Sequence, residues 1–456
     1  MPLRRVLVAN RGEIALRIVR AARSLGIETV LAASAADSGS MAAREADRTV
    51  VIGPAPARAS YLDARLVVHA AKMTGCDGLH PGYGFLSERR SLAALCEEEG
   101  IAFVGPSAAS IEAVGDKLAA RRLAKAAGVA MTPGSDRLET VEDAVAFAEG
   151  IGYPVVTKAS AGGGGRGMFV AKDAASLREG FARASIEAKE AFGDGTLFVE
   201  RYVERARHVE VQVLGDGAGR VLHFGERDCS LQRRYQKMVE EAPAAALPAT
   251  TRARLHGAAV DLLASIGYRN AGTVEFLYDV DRDEFYFMEV NARIQVEHPV
   301  SEMIAGVDLV QLQLRIAGGE PPPLRQSEIT FAGHAIEVRI LAEDADRNFA
   351  PSPGRIAQWV APHGNGVRVD TAMEAGASVP PYYDSMIAKL IVHADDRPAA
   401  VARLRDALDR FQISGVATNL SLLKTIVAHP DFREGRLDTR WLETVLLPDF
   451  IARKDC

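Results

Sequence analysis

An α/β fold with α+β character in part is what this 456-residue sequence predicts. Three observations predict it. The chain opens on short apolar runs alternating with helical patterns, its middle reads as hairpins around glycine turns, and its last part joins turn signals to one long amphipathic run. With 48% hydrophobic and 25% charged residues the composition is that of a globular protein. At roughly 150 residues per domain, the length points to about three domains.

Residues 6–9 are a short apolar run, followed by the polar turn Asn10-Arg11-Gly12-Glu13, a helical pattern over 14–25, Gly26 and a second run over 29–33. That is a βαβ opening. A helical pattern over 64–73, the loop His80-Pro81-Gly82-Tyr83-Gly84-Phe85 and the run 101–104 continue an open sheet to about residue 115. The first strand-to-helix turn has a single glycine and no G-x-G-x-x-G, which favours a scaffold domain over a dinucleotide site. From Pro154 the pattern changes. Residues 155–159 and 168–172 read as a hairpin joined by Ser160, Ala161, Gly162, Gly163, Gly164, Gly165, Arg166 and Gly167, and a helix over 174–192 completes a small unit that looks like a lid. Residues 207–214 and 220–225 pair around Gly215-Asp216-Gly217, and further strands run to about residue 341. The last part has turns at Pro351-Ser352-Pro353-Gly354 and Pro380-Pro381, then an amphipathic helix over 397–411.

The 54 Lys and Arg against 60 Asp and Glu leave a formal charge of −6, spread without a basic arm, so neither nucleic acid nor anionic lipid is indicated as a partner. Cys76, Cys96, Cys229 and Cys456 are scattered without a C-x-x-C pair, which suggests neither a disulfide framework nor a zinc site and fits a reducing cytosol. No apolar run approaches the roughly 20 residues of a membrane span, and no signal-peptide core precedes Ala9. The expectation is a cytoplasmic chain, complete at its N-terminus.

Three constellations carry chemistry. Four successive glycines, Gly162 to Gly165, free backbone N–H groups to cradle phosphate, and Lys158 stands just before them. Because the loop joins two strands, it is not a Walker A motif. Second, residues 285–297 alternate strictly. Read as one extended segment, Met288, Val290, Ala292, Ile294 and Val296 take one side, and Glu289, Asn291, Arg293, Gln295 and Glu297 the other. An edge strand with a solvated face has the same pattern. The upstream strand Thr273-Val274-Glu275-Phe276-Leu277 decides between them. A hairpin centred near Arg282 sets Glu275 opposite Glu289, and two facing carboxylates call for a hard divalent cation, Mg²⁺ or Mn²⁺, with Asn291 as a further oxygen ligand. Together with the glycine loop and Lys158, this dicarboxylate points to a nucleoside triphosphate. Third, Gln232-Arg233-Arg234-Tyr235-Gln236-Lys237 would place Arg233, Tyr235 and Lys237 on one strand face, unless the run and its following Glu240-Glu241 are a solvated turn. Lys117 is uninformative by itself. His208 shares a strand face with Glu210 and Gln212, and Arg339 has Glu337 as a ready ion-pair partner.

In order and spacing the motifs resemble those of biotin carboxylases, members of the ATP-grasp superfamily, from Val6 to about Leu442. They are Ala9-Asn10-Arg11-Gly12-Glu13-Ile14-Ala15, HPGYGFLSE from His80, Gly115-Asp116-Lys117, residues 158–168, ERDCSLQRRYQKMVEE from Glu226, residues 289–299 and PPYYDSMIAKL from Pro380. The resemblance implies a Rossmann-like pre-ATP-grasp domain over 1–115, a linker helix over 116–129, a mobile glycine-loop lid over 130–203, an ATP-grasp catalytic core over 204–330, a C-terminal biotin carboxylase domain over 331–446 and a tail over 447–456.

It also implies roles. Lys117, Lys158 and Gly162, Gly163, Gly164 and Gly165 would hold ATP phosphates, with Glu200 and Val203 at the adenine and His208 and Gln232 near sugar and phosphates. Glu275 and Glu289 would bind Mg²⁺ or Mn²⁺, two ions in all, with Asn291 beside them. Arg293, Gln295 and Val296 would hold bicarbonate, Glu297 would deprotonate it, Lys237 would lie beside the anions, and Arg339 would stabilise the biotin enolate. The implied route passes through carboxyphosphate, whose breakdown yields the CO₂ that the enolate attacks. Ala161 departs from a frequent glycine and Tyr235 from a frequent histidine or asparagine. No Ala-Met-Lys-Met sequence is present, so biotin is expected on a carrier protein or domain, with a carboxyltransferase component as further partner. A homodimer, or a place in a larger carboxylase, is expected.

Overall fold

The computed structural model describes residues 2–138, 140–159 and 168–452. Its strands and helices divide into two units, residues 1–127, 207–276 and 289–456 forming one and residues 128–206 with 277–288 the other.

In the larger unit, β1 (Arg5–Val8), β2 (Glu28–Ala33), β3 (Arg48–Val51), β4 (Gly78–His80) and β5 (Ala102–Phe103) form a sheet of order β3-β2-β1-β4-β5. Every pairing in it is parallel, as the βαβ opening predicts. The first helix, Gly12–Ser24, starts inside the expected polar turn and buries Ile14, Leu16, Ile18 and Val19. Its apolar face closes a core with Val6, Val8 and Leu31 that also takes in Leu214, Phe224 and Leu309. Because strand order reverses on either side of β1, the segments following β1 and β4 flank a switch point, where open α/β sheets leave a crevice.

In the smaller unit, β6 (Val155–Ala159), β7 (Phe169–Ala171) and β8 (Leu197–Arg201) form a sheet of order β7-β6-β8. The β6–β7 pairing is antiparallel. The hairpin expectation therefore holds, while Ala161 and Gly162 to Gly165 lie outside the described residues. The helix Ala174–Phe192 starts at a capping box between Asp173 and Ser176 and ends at Gly193 in the left-handed region, φ 78°. Leu177, Phe181 and Ala184 of that helix pack on Val155, Leu197 and Val199.

The second sheet of the larger unit has eight strands. Those numbered here are β9 (Ala206–Asp216), β10 (Val221–Arg233), β11 (Gln236–Ala242), β12 (Arg269–Asp279), β13 (Glu284–Asn291) and β14 (His334–Leu341). They run β13-β12-β9-β10-β11-β14 and continue into the strands Met386–Ala394 and Val367–Thr371. The pairing of β11 with β14 is antiparallel, so hydrogen bonding crosses from the catalytic core expected to end at residue 330 into the part beyond it. On the far side, Val338, Ile340, Leu390 and Val392 pack against Leu404, Leu408, Leu422 and Ile426. The amphipathic run is the helix Arg397–Arg410. Among the described residues, no helix is long and apolar enough to cross a membrane.

Two expectations fail. The alternating segment is not extended throughout: β13 stops at Asn291 and residues 292–297 turn into the helix His298–Ala305, which has Glu297 at its N-cap. Proline in the first helical turn favours that start, and the turn goes unseen in the sequence because residues 292–297 still alternate between apolar and polar types. Met288 on the supposed apolar side is 42% exposed, while Gln295 and Glu297 on the supposed polar side are buried. Nor do Arg233, Tyr235 and Lys237 share a strand face. Arg234 and Tyr235 make a two-residue hairpin turn with φ 47° and 67°, a conformation usually given to Asn-Gly and invisible in this composition. Consequently Gln232 pairs with Lys237 across the ladder, Tyr235 points to solvent, and the Arg233 guanidinium stacks 3.5 Å over the Phe349 ring.

Candidate active site

The eight-stranded sheet gathers polar and charged side chains from His208 to Arg339, 131 residues apart. β9 brings His208, Glu210 and Gln212, β10 Arg227 and Gln232, β11 Lys237 and Glu240, β12 Glu275, β13 Glu289 and Asn291, and β14 Arg339. The turn after β13 adds Arg293, Gln295, Val296 and Glu297.

Lys237 is the hub. Its Nζ donates to Glu210 Oε2 at 2.5 Å, Glu297 Oε1 at 2.7 Å and Glu275 Oε1 at 3.0 Å. Arg339 holds the other oxygen of Glu297, Nη2 to Oε2 at 3.0 Å, and its Nε donates to Glu240 at 2.6 Å. Behind them Arg227, fully buried, donates to Glu210, Gln212, Thr273, Gln295 and Ser301. Glu275 also accepts from Asn291 and Gln295, both at 2.9 Å, and its Oε2 lies 2.9 Å from His208 Nε2. Arg293 donates to Glu88 at 2.9 Å and to Asn291 Oδ1 at 3.1 Å. Gln232 lies 3.4 Å from His208 Nδ1.

Such burial of charge is tolerable only because every ion has a hydrogen-bonded counter-ion. Burial alone would lower the Lys237 ammonium, but Glu210, Glu297 and Glu275 hold it well above its ordinary value. Burial would likewise raise Glu297, yet Lys237 and Arg339 keep it below the usual carboxylate range. Glu275 is held well below that range by Lys237 and His208 against the same burial. Glu240 differs: burial outweighs Arg339 and pushes it up to about 7.

A cavity of about 380 Å³ opens at the switch point. Asn10, Arg11 and Glu13 after β1 and Tyr83 and Phe85 after β4 form one side, and Arg293, Val296 and Arg339 another. The Asn10 amide ties the two loops by donating to the carbonyls of Pro81 and Tyr83. This size suits a small ligand.

Lys158 Nζ donates to Glu200 Oε2 at 2.5 Å within the smaller unit, where Val203 packs with Ala206 and Tyr286. Lys117 begins the helix Lys117–Ala126, which Asp116 caps. β12 and β13 are neighbours, as the hairpin requires, and Glu289 is exposed. Arg339 reaches Glu240 and Glu297 rather than Glu337, both of whose carboxylate oxygens have no partner. The competing ion pair with Glu337 is therefore not formed: Glu337 sits opposite Glu240 in the ladder.

Sequence reasoning missed Glu210 as an ion-pair partner, Arg227, Glu88 and the burial of Glu240 and Glu241. Inward and outward charges look alike in a strand when both of its faces are covered. Glu241 accepts from Arg397, lies 2.8 Å from His334 Nε2 and is pushed down to about 2, burial opposing and His334 and Arg397 prevailing. A lowered carboxylate stabilises the fold above its unfolded value, 4.5, and that contribution is lost as pH falls toward about 2. In thermal unfolding series from pH 6 to 3, Glu241→Gln should therefore flatten the acid branch of stability relative to the parent.

Three family profiles tile the chain: "Biotin carboxylase, N-terminal domain" over residues 2–111, "Carbamoyl-phosphate synthase L chain, ATP binding domain" over 116–325, and "Biotin carboxylase C-terminal domain" over 337–444. Biotin carboxylase 1 of Bacillus subtilis is 48% identical over 97% of this chain and 98% of its own length. The chain belongs to the biotin carboxylase family. The mitochondrial methylcrotonoyl-CoA carboxylase subunit alpha of Arabidopsis thaliana is 47% identical over 97% of the chain, which spans 60% of that relative. Among solved structures, the biotin carboxylase domain dimer of Hydrogenobacter thermophilus 2-oxoglutarate carboxylase, in complex with MgADP, ADP and bicarbonate, superposes with a TM-score of 0.88 at 48% identity, covering 97% of this chain and 98% of that one. The family assignment agrees with the α/β architecture and with the ATP-grasp expectation for the middle of the chain.

Proposed function

We propose that this biotin carboxylase uses ATP and bicarbonate to carboxylate the ureido nitrogen of biotin through carboxyphosphate, as the first half-reaction of an acyl-CoA carboxylase. The observation that carries the reading is the Glu297 carboxylate clamped between Lys237 and Arg339 beside a cavity that Arg339 also lines. One carboxylate thus adjoins both an ammonium suited to anions and a guanidinium suited to an enolate.

In this scheme Arg293, Gln295 and Val296 hold bicarbonate, Glu297 takes its proton as general base, and Lys237 lies against the anionic reactants as charge shifts toward the γ-phosphoryl group. Arg339 then meets the ureido oxygen and lowers the cost of the enolate. Arg293 is already fixed by Glu88 and Asn291, which pre-orients its guanidinium. For the nucleotide we assign Lys158, Gly162 to Gly165, Glu200 and Val203 in the smaller unit, and Lys117, His208 and Gln232 in the larger, each by its match to the family motifs.

Glu275, Glu289 and Asn291 offer hard oxygen donors, the chemistry that fits Mg²⁺ or Mn²⁺, and the Asn291 amide N–H keeps that residue beside Glu275. Divalent ions bound there would neutralise phosphate charge. Glu289→Ala should raise the Mg²⁺ concentration for half-maximal activity roughly tenfold or more, as loss of one charged oxygen ligand implies. Unchanged metal dependence in a Mg²⁺ titration would remove Glu289 from the site.

The domain limits proposed above, a carrier protein or domain bearing biotin, a carboxyltransferase component, a homodimer and a cytoplasmic location complete the reading. They rest on the family motifs, on relatives that are carboxylase subunits or a domain dimer, and on the free buried Cys76, Cys96 and Cys229. The test is ADP release by the purified chain with MgATP and bicarbonate, with and without free biotin. Stimulation by biotin with carboxybiotin formed is expected; nucleotide binding without any biotin response would overturn it.

A further inference from the structure

The motif from Pro380 to Leu390 contains a lysine, Lys389, for which the scheme above has no use. Lys389 lies in the middle of the strand Met386–Ala394 and is completely buried. Its ladder partners are Arg339 on one neighbouring strand and Asp370 on the other. Its Nζ donates to the Val296 carbonyl at 2.9 Å, lies 3.2 Å from Glu13 Oε1 and stands 3.8 Å from Asp370 Oδ2. Burial would lower its ammonium, but Glu13, Glu337 and Asp370 hold it above its ordinary value, so the cation is retained.

A buried lysine costs several kcal/mol in desolvation unless geometry repays it. An apolar side chain opposite Val296 would avoid the cost, and neutralising Glu13 and Asp370 needs no bond to a carbonyl. The bond therefore has its own consequence. Residues 292–297 lie between β13 and the helix His298–Ala305 and have no ladder of their own. A half-buried carbonyl there takes its donor from elsewhere, and for Val296 the donor is Lys389. The Val296 carbonyl shares its peptide plane with the Glu297 N–H, so holding that oxygen holds the plane and the N–Cα bond about which the Glu297 side chain is set. The same ammonium touches Glu13, which lines the cavity and accepts from the Tyr83 hydroxyl, another cavity residue.

We propose that Lys389 is a positioning residue: by holding the Val296 carbonyl it sets the 295–297 turn, and with it Glu297, against the wall of the cavity. The proposal rests on the reading of Glu297 as base and of the 293–296 segment as the bicarbonate seat. Lys389 itself touches neither reactant. Its loss changes the handling of bicarbonate and the alignment of the base, while nucleotide binding is left alone.

The test compares Lys389→Met, and the double variant Glu13→Gln with Lys389→Met, with the parent in bicarbonate-dependent ADP release. Methionine keeps length and removes the donor; the double variant also removes the carboxylate left unpaired by it. Both are expected to raise the KM for bicarbonate on the order of tenfold and to lower kcat by a similar factor, with the KM for MgATP within about twofold. An unchanged KM for bicarbonate in either variant, equal losses toward bicarbonate and MgATP, recovery of parent kinetics in the double variant, or failure of both variants to fold would each make Lys389 a structural cation only and overturn the proposal. A parent that releases no ADP in response to bicarbonate would instead overturn the functional reading on which it rests.

Discussion

Glu297→Gln is expected to lower bicarbonate-dependent ATP cleavage by roughly 10²- to 10⁴-fold, the range typical for losing a general base. Nucleotide affinity should stay near that of the parent. The amide keeps the shape of the carboxylate but can neither accept the proton of bicarbonate nor offer two acceptor oxygens. In the parent both are used, one by Lys237 and the other by Arg339. The amide NH₂ must face one of these cations, so a local stability cost of about 1–3 kcal/mol accompanies the kinetic loss. Steady-state ADP release across a bicarbonate series, beside calorimetric titration with ADP, separates the two effects. A parental rate in the variant would rule out Glu297 as the base.

Lys237→Met should do more, because it removes the cation shared by Glu210, Glu275 and Glu297. Breaking a buried ion pair by deleting one partner costs about 3–5 kcal/mol, since the remaining charge is left in a poor solvent. Here three carboxylates lose a partner at once. Arg227, His208 and Arg339 still contact one each, which limits the damage and makes a folded variant attainable. Thermal unfolding should show a lower midpoint together with loss of nearly all bicarbonate-dependent activity. The deficit in midpoint should shrink toward acid pH. Without the ammonium the carboxylates bind protons more readily in the fold, so the variant recovers stability as pH falls while the parent, whose Glu210 is pushed down to about 2 by Lys237 and Arg227 against burial, does not gain in this way. An equal deficit at pH 5 and pH 8 would show that Lys237 acts through packing and not charge.

How far the site was legible in the sequence varies with the kind of residue. That Glu275 and Glu289 lie on neighbouring strands was readable because one short turn sets that arrangement locally. The glycine loop was readable from composition, and β6 and β7 pair around it as expected. The roles proposed for Arg339, Lys237 and Glu297 come only from resemblance to a family, since no spacing links residues 237, 297 and 339. Arg227 left no signal: it reads as one more charge in a strand and proves to be fully buried beneath five partners.

By itself, then, the sequence determined the α/β class, the β6–β7 and β9–β10 hairpins and the chemical inventory, because these follow from periodicity, turn residues and local pairing. Tertiary structure alone decided that Glu297 caps a helix instead of extending a strand, that Arg339 grips Glu240 and not Glu337, and that Lys389 reaches Val296 from 93 residues away. The physical reason is the same in each case. A charge stays buried only where partners from distant strands surround it, and which strands become neighbours is settled by packing the whole sheet.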